Sequence, residues 1–322
     1  MKMDETVEIS ALAANMVWGY LQSDLRPVAD VASGSTIRLT TFPAGDASKL
    51  HPDASRVSVE HLNALNVLRK GKGAHLITGP VFVRGAEPGD VLQVDILSIE
   101  LTQDWGRVST IPLLGALPGE FSQAHTVHPD IDIASNTCQL PWGVELPLAP
   151  FFGLIATAPP ASWGECDSNV PRSFGGNLDN KELTPGSTLY LPVFNTGAQL
   201  FVGDAHGAQG DGEVCVTGLE TGAVGEFRLT VRKDIRLTDP FAESKTHLIS
   251  MGIHDELAEA ARAAIRQMID QICLRSTMGR TEAYMLCSLA GDLHITQLVD
   301  GNKGVHMMLD KSILEPNGHA AG

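Results

Sequence analysis

GAEPGDVLQVDILSIE, residues 85–100, opens on a Gly/Pro turn and runs into alternation, with Leu92, Val94 and Ile96 on one side and Gln93 and Asp95 on the other. A period of two places successive side chains on opposite faces, which is the pattern of a half-buried strand. GEFRLTVRKDIRL (225–237) repeats it, with Phe227, Leu229 and Val231 inward and Arg228, Thr230 and Arg232 outward. STLYLPVF and QLFVGDAH flank NTGA and read as two strands joined by a turn at Asn195 to Ala198. The chain holds 32 Gly and 18 Pro, and those between about residues 30 and 250 punctuate short β-prone runs, so the chain reads as mainly β, a sandwich or barrel.

The period changes near residue 254. In HDELAEAARAAIRQMIDQICLRSTMGR, Leu257, Ala261, Ile265, Met268 and Ile272 recur at helical spacing, with Asp255 as the expected cap and Gly279 as the expected stop. A second helix is expected over 281–291, capped by Thr281 and ended by Gly291, and HITQLVD reads as a strand. The expected organisation is a mainly β part over 1–250 carrying the site loops and an α+β part over 251–322, with the tail EPNGHAAG frayed.

A net charge of −15 repels phosphate backbones and anionic lipid, and LRKGKGAH (68–75), the densest basic run, holds only three cations. This argues against nucleic-acid and membrane roles and favours a small neutral or cationic ligand. Five scattered cysteines without a C-x-x-C pair argue against a disulfide framework or thiolate zinc site, and point to the cytoplasm. No apolar leader and no run of about 18 apolar residues is found.

Two glycine-rich stretches carry the polar groups that could do chemistry. GDAHGAQGDGE (203–213) holds Asp204, His206, Asp211 and Glu213, and SFGGNLDNKEL (173–183) holds Asn177, Asp179 and Asn180. Asp204 and His206, two apart, share one side of an extended backbone and could grip one divalent cation. The alternative is a wet turn whose glycines supply positive φ. His75 reads as a structural histidine before a strand, and His125 and His128 as loop residues beside Pro129. Cys166 lies next to Glu165, which blunts a thiolate. PFFGLIATAPP (150–160) is core, with Phe151 or Phe152 as a possible pocket wall. Serine-elbow, Walker and dinucleotide-binding motifs are missing.

Taken together, HLITGPVFVRGAEPGDVLQVDI, PLAPFFGLIATAP, GGNLDNKELTPGSTLYLPVFNTGAQLFVGDAHGAQGDGEV and EAYMLCSLAGDLHITQLVDGNKGVHMML resemble the acetamidase/formamidase family over roughly residues 16–315. The resemblance implies hydrolysis of formamide or acetamide, a jelly-roll-like β-sandwich or barrel core with a smaller C-terminal α+β part, and a homo-oligomer. It also implies a metal-dependent site in which Asp179, Asp204, His206 and His75 hold one or two divalent cations, zinc first and calcium as a candidate second ion. Glu213 or Asp211 would then transfer the proton and Asn177 would stabilise the oxyanion. TTFPAGDASKLHP and QDWGRVSTIP depart from the family pattern, which leaves the particular amide open. Two other readings stand beside this one: an amidase using Cys166 with Glu165 and Lys181, and a non-catalytic β-sandwich binding module with a structural cation.

Overall fold

The computed structural model describes residues 6–314, so the 315–322 tail lies outside the described residues. Two β-sheets pack face to face. The larger has nine strands among the described residues, in the order Val7–Ile9, Thr36–Thr41, Ala223–Arg232, Val91–Leu101, Thr188–Pro192, Phe241–Glu243, His247–His254, Lys303–Asp310 and Asp292–Gln297. The second runs Gly175–Asn177, Phe151–Ala156, Leu200–His206, Leu76–Arg84 and Met16–Trp18. Glu220–Thr221 joins it beside Leu200–His206, and Ala29–Ala32 joins it beside Leu76–Arg84.

The alternation seen in the sequence determines what lies between the layers. Leu92, Val94, Ile96, Phe227 and Leu229 are buried from the larger sheet and meet Val81, Val83, Phe152, Ile155, Leu200 and Val202 from the other. At about 25 cal/mol per Å² of apolar surface removed from water, this shared core is the main favourable term holding the sheets together. Phe152 and Phe227 touch across it with ring centroids 5.5 Å apart. Thr188–Pro192 and Leu200–His206 are adjacent in sequence but lie in opposite sheets, so the NTGA turn is a crossing between layers and no hairpin forms. Ala198 and Gln199 take positive φ there, at 55° and 58°.

The C-terminal helices cover the far end of the larger sheet. Leu257–Arg275 packs Met268, Ile269 and Ile272 against Leu248, Met307 and Leu309, while Ala260 and Ala264 lie against Val305. Gly252 permits this close approach, because a Cβ there would sit 1.9 Å from the Ala260 carbonyl oxygen. The helix limits differ from expectation. Glu256, not Asp255, occupies the N-cap, and the first helix ends at Arg275 instead of running to Gly279. Gly279 instead starts the second helix, Arg280–Ala290, where its N–H donates to Glu282 Oε2 at 2.8 Å. Thr281 is therefore inside the first turn. The reason is local: Ser276 Oγ donates to the Ile272 carbonyl and accepts from Met278 N–H, which turns the chain three residues early.

Candidate active site

Leu200–His206 is the central strand of the site. Its neighbour Phe151–Ala156 pairs antiparallel with it and brings Gly153 opposite Asp204, while Glu220–Thr221 sets Glu220 directly across from His206. Asp179 follows the short strand Gly175–Asn177 on the other side of Phe151–Ala156. Gly153 is the hinge of this arrangement. Its carbonyl oxygen accepts from both Leu178 and Asp179 N–H, at 2.8 and 3.1 Å. A Cβ on it would stand 2.3 Å from Asp179 Oδ1 and 2.7 Å from Asp204 Oδ2. The missing side chain is the space in which the two carboxylates meet.

The remaining acids arrive from loops. Glu213 lies in the glycine-rich turn, and Gly212 docks that turn on the C-terminal strand Asp292–Gln297 through a 3.0 Å N–H to Thr296 carbonyl bond. Asp300 comes from the turn between the last two strands, where Gln297 Oε1 accepts from Val299 and Asp300 N–H. Asp179, Asp204, Glu213 and Glu220 thus converge, all buried, around His206, with buried Asp300 beside Asp179. Asp204, Glu213, Glu220 and Asp300 border a cavity of about 380 Å³ whose walls also include His75, Asn177, Arg107 and Val216.

Distances and directions specify the chemistry. His206 Nδ1 pairs with Gln209 Oε1 at 2.8 Å, and since an amide oxygen only accepts, that ring nitrogen carries the proton. Gln209 is itself held by donating to the Asp179 carbonyl at 2.9 Å. His206 Nε2 then faces Glu220 Oε1 at 3.1 Å and Asp204 Oδ2 at 3.4 Å without a well-directed hydrogen bond. His75 Nε2 stands 3.5 Å from Asp204 Oδ2, with its Nδ1 on Ser168 Oγ at 2.9 Å. The Phe151 ring packs edge-on to His206 with centroids 5.2 Å apart, fixing the imidazole plane. Arg107, buried, places Nη2 on the Ala44 carbonyl at 3.0 Å and 3.8 Å from Glu220 Oε2.

So many acids in one dry place cannot all ionise. Burial, followed by the Asp204 charge, pushes Asp179 up to about 6. Burial and the nearby Asp179 charge push Glu213 well above the usual carboxylate range, and Asp300 behaves the same way. Burial also opposes ionisation of Asp204, but His75 and His206 overcome it and hold that carboxyl below its ordinary value. His206 is raised well above an ordinary histidine because Glu220 and Asp204 outweigh its own burial.

The donor set fits a divalent cation. Buried oxygens of Asn177, Asp179, Asp204, Glu213 and Asp300, together with His206 Nε2, have no hydrogen-bond partner. Buried polar atoms are ordinarily paired, and a group of acceptors left unpaired together asks for a cation. Two sets, Asp179–His206–Glu213 and Asp204–His206–Glu220, each bring ligand atoms within 4.8 Å of one another. Asp179, Asp204 and Glu213 also hold positive φ of 46°, 57° and 44°, unfavourable for residues with a Cβ and retained where the surroundings impose them.

Of the residues singled out from sequence, Asp179, Asp204, His206, Glu213, His75 and Asn177 are brought together. Asp211 is not. It points away from the cavity, held by Lys181 Nζ at 3.0 Å and His294 Nδ1 at 3.1 Å, because adjacent odd positions of the turn face opposite ways across the bent Gly212. Cys166 is buried against Leu21 and Phe174, with its thiol pushed up by burial, while Glu165 pairs with Arg69 and Lys181 with Asp211. No Cys–Glu–Lys constellation is assembled among the described residues. His128 bonds the Lys49 carbonyl at 3.1 Å and lies outside the cavity wall. Sequence reasoning missed Glu220, Asp300, Arg107 and Gly153. Only Gly153 left a usable signal, as an isolated glycine inside an apolar strand.

Fold and cluster together define a two-layer β protein whose buried acidic centre opens into a cavity. The chain belongs to the Acetamidase/Formamidase family, whose model matches residues 10–169 and 165–315. It is 30% identical to the crystal structure of an acetamidase from Bacillus halodurans, with a TM-score of 0.83 over 97% of this chain and 100% of that one. A predicted acetamidase/formamidase from Thermoanaerobacter tengcongensis matches at 27% identity and TM-score 0.83, over 97% and 98% of the two chains. An acetamidase of Mycolicibacterium smegmatis is 29% identical over 198 residues, 44% of this chain and 49% of that protein. The chain spans about half the length of the curated relatives it matches.

Proposed function

We propose that this protein hydrolyses short aliphatic amides such as formamide or acetamide to the carboxylate and ammonia, at a divalent-cation site in the cavity. The observation that carries this reading is the set of unpartnered, buried carboxylate oxygens of Asp179, Asp204, Glu213 and Asp300, the last three at the wall of a cavity. Family membership and the named acetamidase relatives support amide substrates. Asp179, Asp204 and His206 would hold the cation, zinc first, with Glu220 and Glu213 beside them and His75 steadying Asp204; a second ion, calcium among the candidates, has carboxylates to spare. The chemistry a bound cation supplies is Lewis acidity, which polarises the amide carbonyl and lowers the pKa of water from about 15.7 toward ~7.

The chain's own groups do the rest. Asn177, at the cavity wall, donates its amide N–H to the substrate oxygen as that oxygen gains charge. Glu213 is buried at the same wall; as the carboxylate, the form a bound cation would favour by offsetting the neighbouring acids, it would take the proton released by the attacking water and deliver it to the departing nitrogen. Water and RCONH₂ thereby yield RCOO⁻ and NH₄⁺. Gln209 keeps His206 Nδ1 protonated, which leaves Nε2 free for the cation.

Five free thiols fit a reducing cytoplasm. Exposed Leu274, Tyr284, Met285 and Leu289 on the C-terminal helices offer an apolar face for a homo-oligomer. Among the described residues no helix is long and apolar enough to cross a membrane. The deciding experiment measures ammonia release from formamide, acetamide and propionamide before and after removal of bound metal with a chelator, with Asp204→Asn as a companion. Full turnover in metal-stripped protein would refute the cation's role. An absence of turnover on every amide, with ligand still raising the melting temperature, would favour a binding module instead.

A further inference from the structure

Behind the cavity, on the other side of the Glu213 turn, the last two strands place His294 and His306 directly across from each other. Cross-strand partners stand side by side on one face of a sheet, and the two imidazoles are stacked with centroids 4.9 Å apart and planes 5° from parallel. His306 is fully buried. Its Nδ1 is engaged by Thr296 Oγ1 at 2.7 Å, while its Nε2 has no hydrogen-bond partner. The Asp211 carboxylate completes the group, with Oδ2 3.1 Å from His294 Nδ1, and one ligand atom from each of the three lies within 4.8 Å of the other two.

We propose that Asp211, His294 and His306 form a second divalent-cation site, separate from the cavity cluster and suited to Zn²⁺. Two imidazoles and one carboxylate are the nitrogen-rich mixed set that zinc accepts with water in the fourth position, and a poor set for calcium or magnesium, which prefer oxygen. The buried, unpartnered Nε2 of His306 is the feature that solvation does not explain, since a buried ring nitrogen is ordinarily satisfied. Lys181 Nζ, 3.0 Å from Asp211 Oδ2, competes for the same carboxylate, and at one-third exposure it can swing out to solvent.

The site has a mechanical consequence. Gly212 N–H donates to the Thr296 carbonyl and its own carbonyl accepts from Leu298 N–H, so the turn is already stitched to the strand that carries His294. Asp211 faces outward and Glu213 faces the cavity from the two sides of that stitch. A cation on Asp211 would staple the Glu213 turn to the edge of the nine-stranded sheet.

The test is Zn²⁺ binding by equilibrium dialysis of the chelator-stripped full chain with elemental quantification. Wild type is expected to bind one equivalent more than His294→Ala or Asp211→Asn, each weakening that equivalent by about 100-fold or more. His206→Ala, which disables the cavity cluster, is expected to leave the His294-dependent equivalent in place. Lys181→Gln keeps every ligand and removes the competing cation, so it tightens that equivalent by roughly tenfold. Zinc stoichiometry unchanged by His294→Ala and Asp211→Asn would overturn the proposal, as would Lys181→Gln with unaltered affinity. Neither result touches the cavity site, whose own failure would show instead as zinc uptake and turnover indifferent to His206→Ala.

Discussion

Gly153→Ala separates folding from chemistry. Gly153 does not sit in the left-handed region, so alanine meets no backbone strain, and the cost comes from its Cβ alone. That atom would lie 2.3 Å from Asp179 Oδ1 and 2.7 Å from Asp204 Oδ2. The strand cannot slide to relieve this, because Phe151–Ala156 is paired on both sides and the Gly153 carbonyl holds Leu178 and Asp179. The carboxylates must move instead. To reach ordinary contact near ~3.4 Å, Asp179 Oδ1 retreats by about 1.1 Å, several times the roughly 0.2 Å tolerance of a metal-ligand distance. Since the displaced atoms are ends of side chains, the loss of stability stays within about 1–3 kcal/mol, whereas turnover falls by roughly 100-fold and cation uptake collapses. Urea melts, metal content and ammonia release from formamide measure the three quantities side by side. Undiminished metal uptake and turnover in G153A would refute the claim that the missing side chain makes room for the carboxylate pair.

Further outcomes follow from the same geometry. Asn177→Ala is expected to lower kcat by about 10²–10³ with little change in metal content, which steady-state kinetics and elemental analysis check together. Cys166→Ala leaves turnover unaltered and costs about 1 kcal/mol in a denaturant melt, since the thiol only fills core beside Phe174. Metal-stripped protein loses stability as pH rises from 7 to 8. Carboxyls raised on folding, Glu213 and Asp300, bind more protons in the folded state above their unfolded values, so their contribution drops as pH climbs; His206, also raised, is lost in the same direction above ~6.5. His61 and His306, pushed down to about 4 by burial, slope the opposite way but only below ~6.5, and depressed Asp204 acts only below ~4. Melting temperatures in chelator should therefore fall across pH 7–8 and fall less with Zn²⁺; a rise in chelator would contradict the raised values.

Most of the fold was readable because its strands are half-buried. Leu92, Val94 and Ile96 had to face inward whatever the rest of the chain did, and they do. Helix ends were less legible: Ser276 turns the chain through its own hydroxyl, and Gly279, read as a stop, starts the next helix. In the site, Asp204 and His206 share a strand and Asp179 lies in the resembling GGNLDN element, so all three could be named from sequence. Glu220 and Asp300 could not, because a carboxylate before threonine or glycine carries no local mark of convergence.

What the sequence determined by itself is whatever depends on near neighbours: strand and helix periods, the glycines that free two loops, and the family resemblance carried by those loops. The tertiary structure decided which carboxylates meet. Asp211 and Glu213 are two residues apart and equally polar, yet one is turned toward His294 and the other into the cavity. That choice comes from the docking of Gly212 on the strand Asp292–Gln297, more than eighty positions away, and from the dry space left by Gly153. Charge in a protein acts through distance and burial, and neither is set by position along the chain.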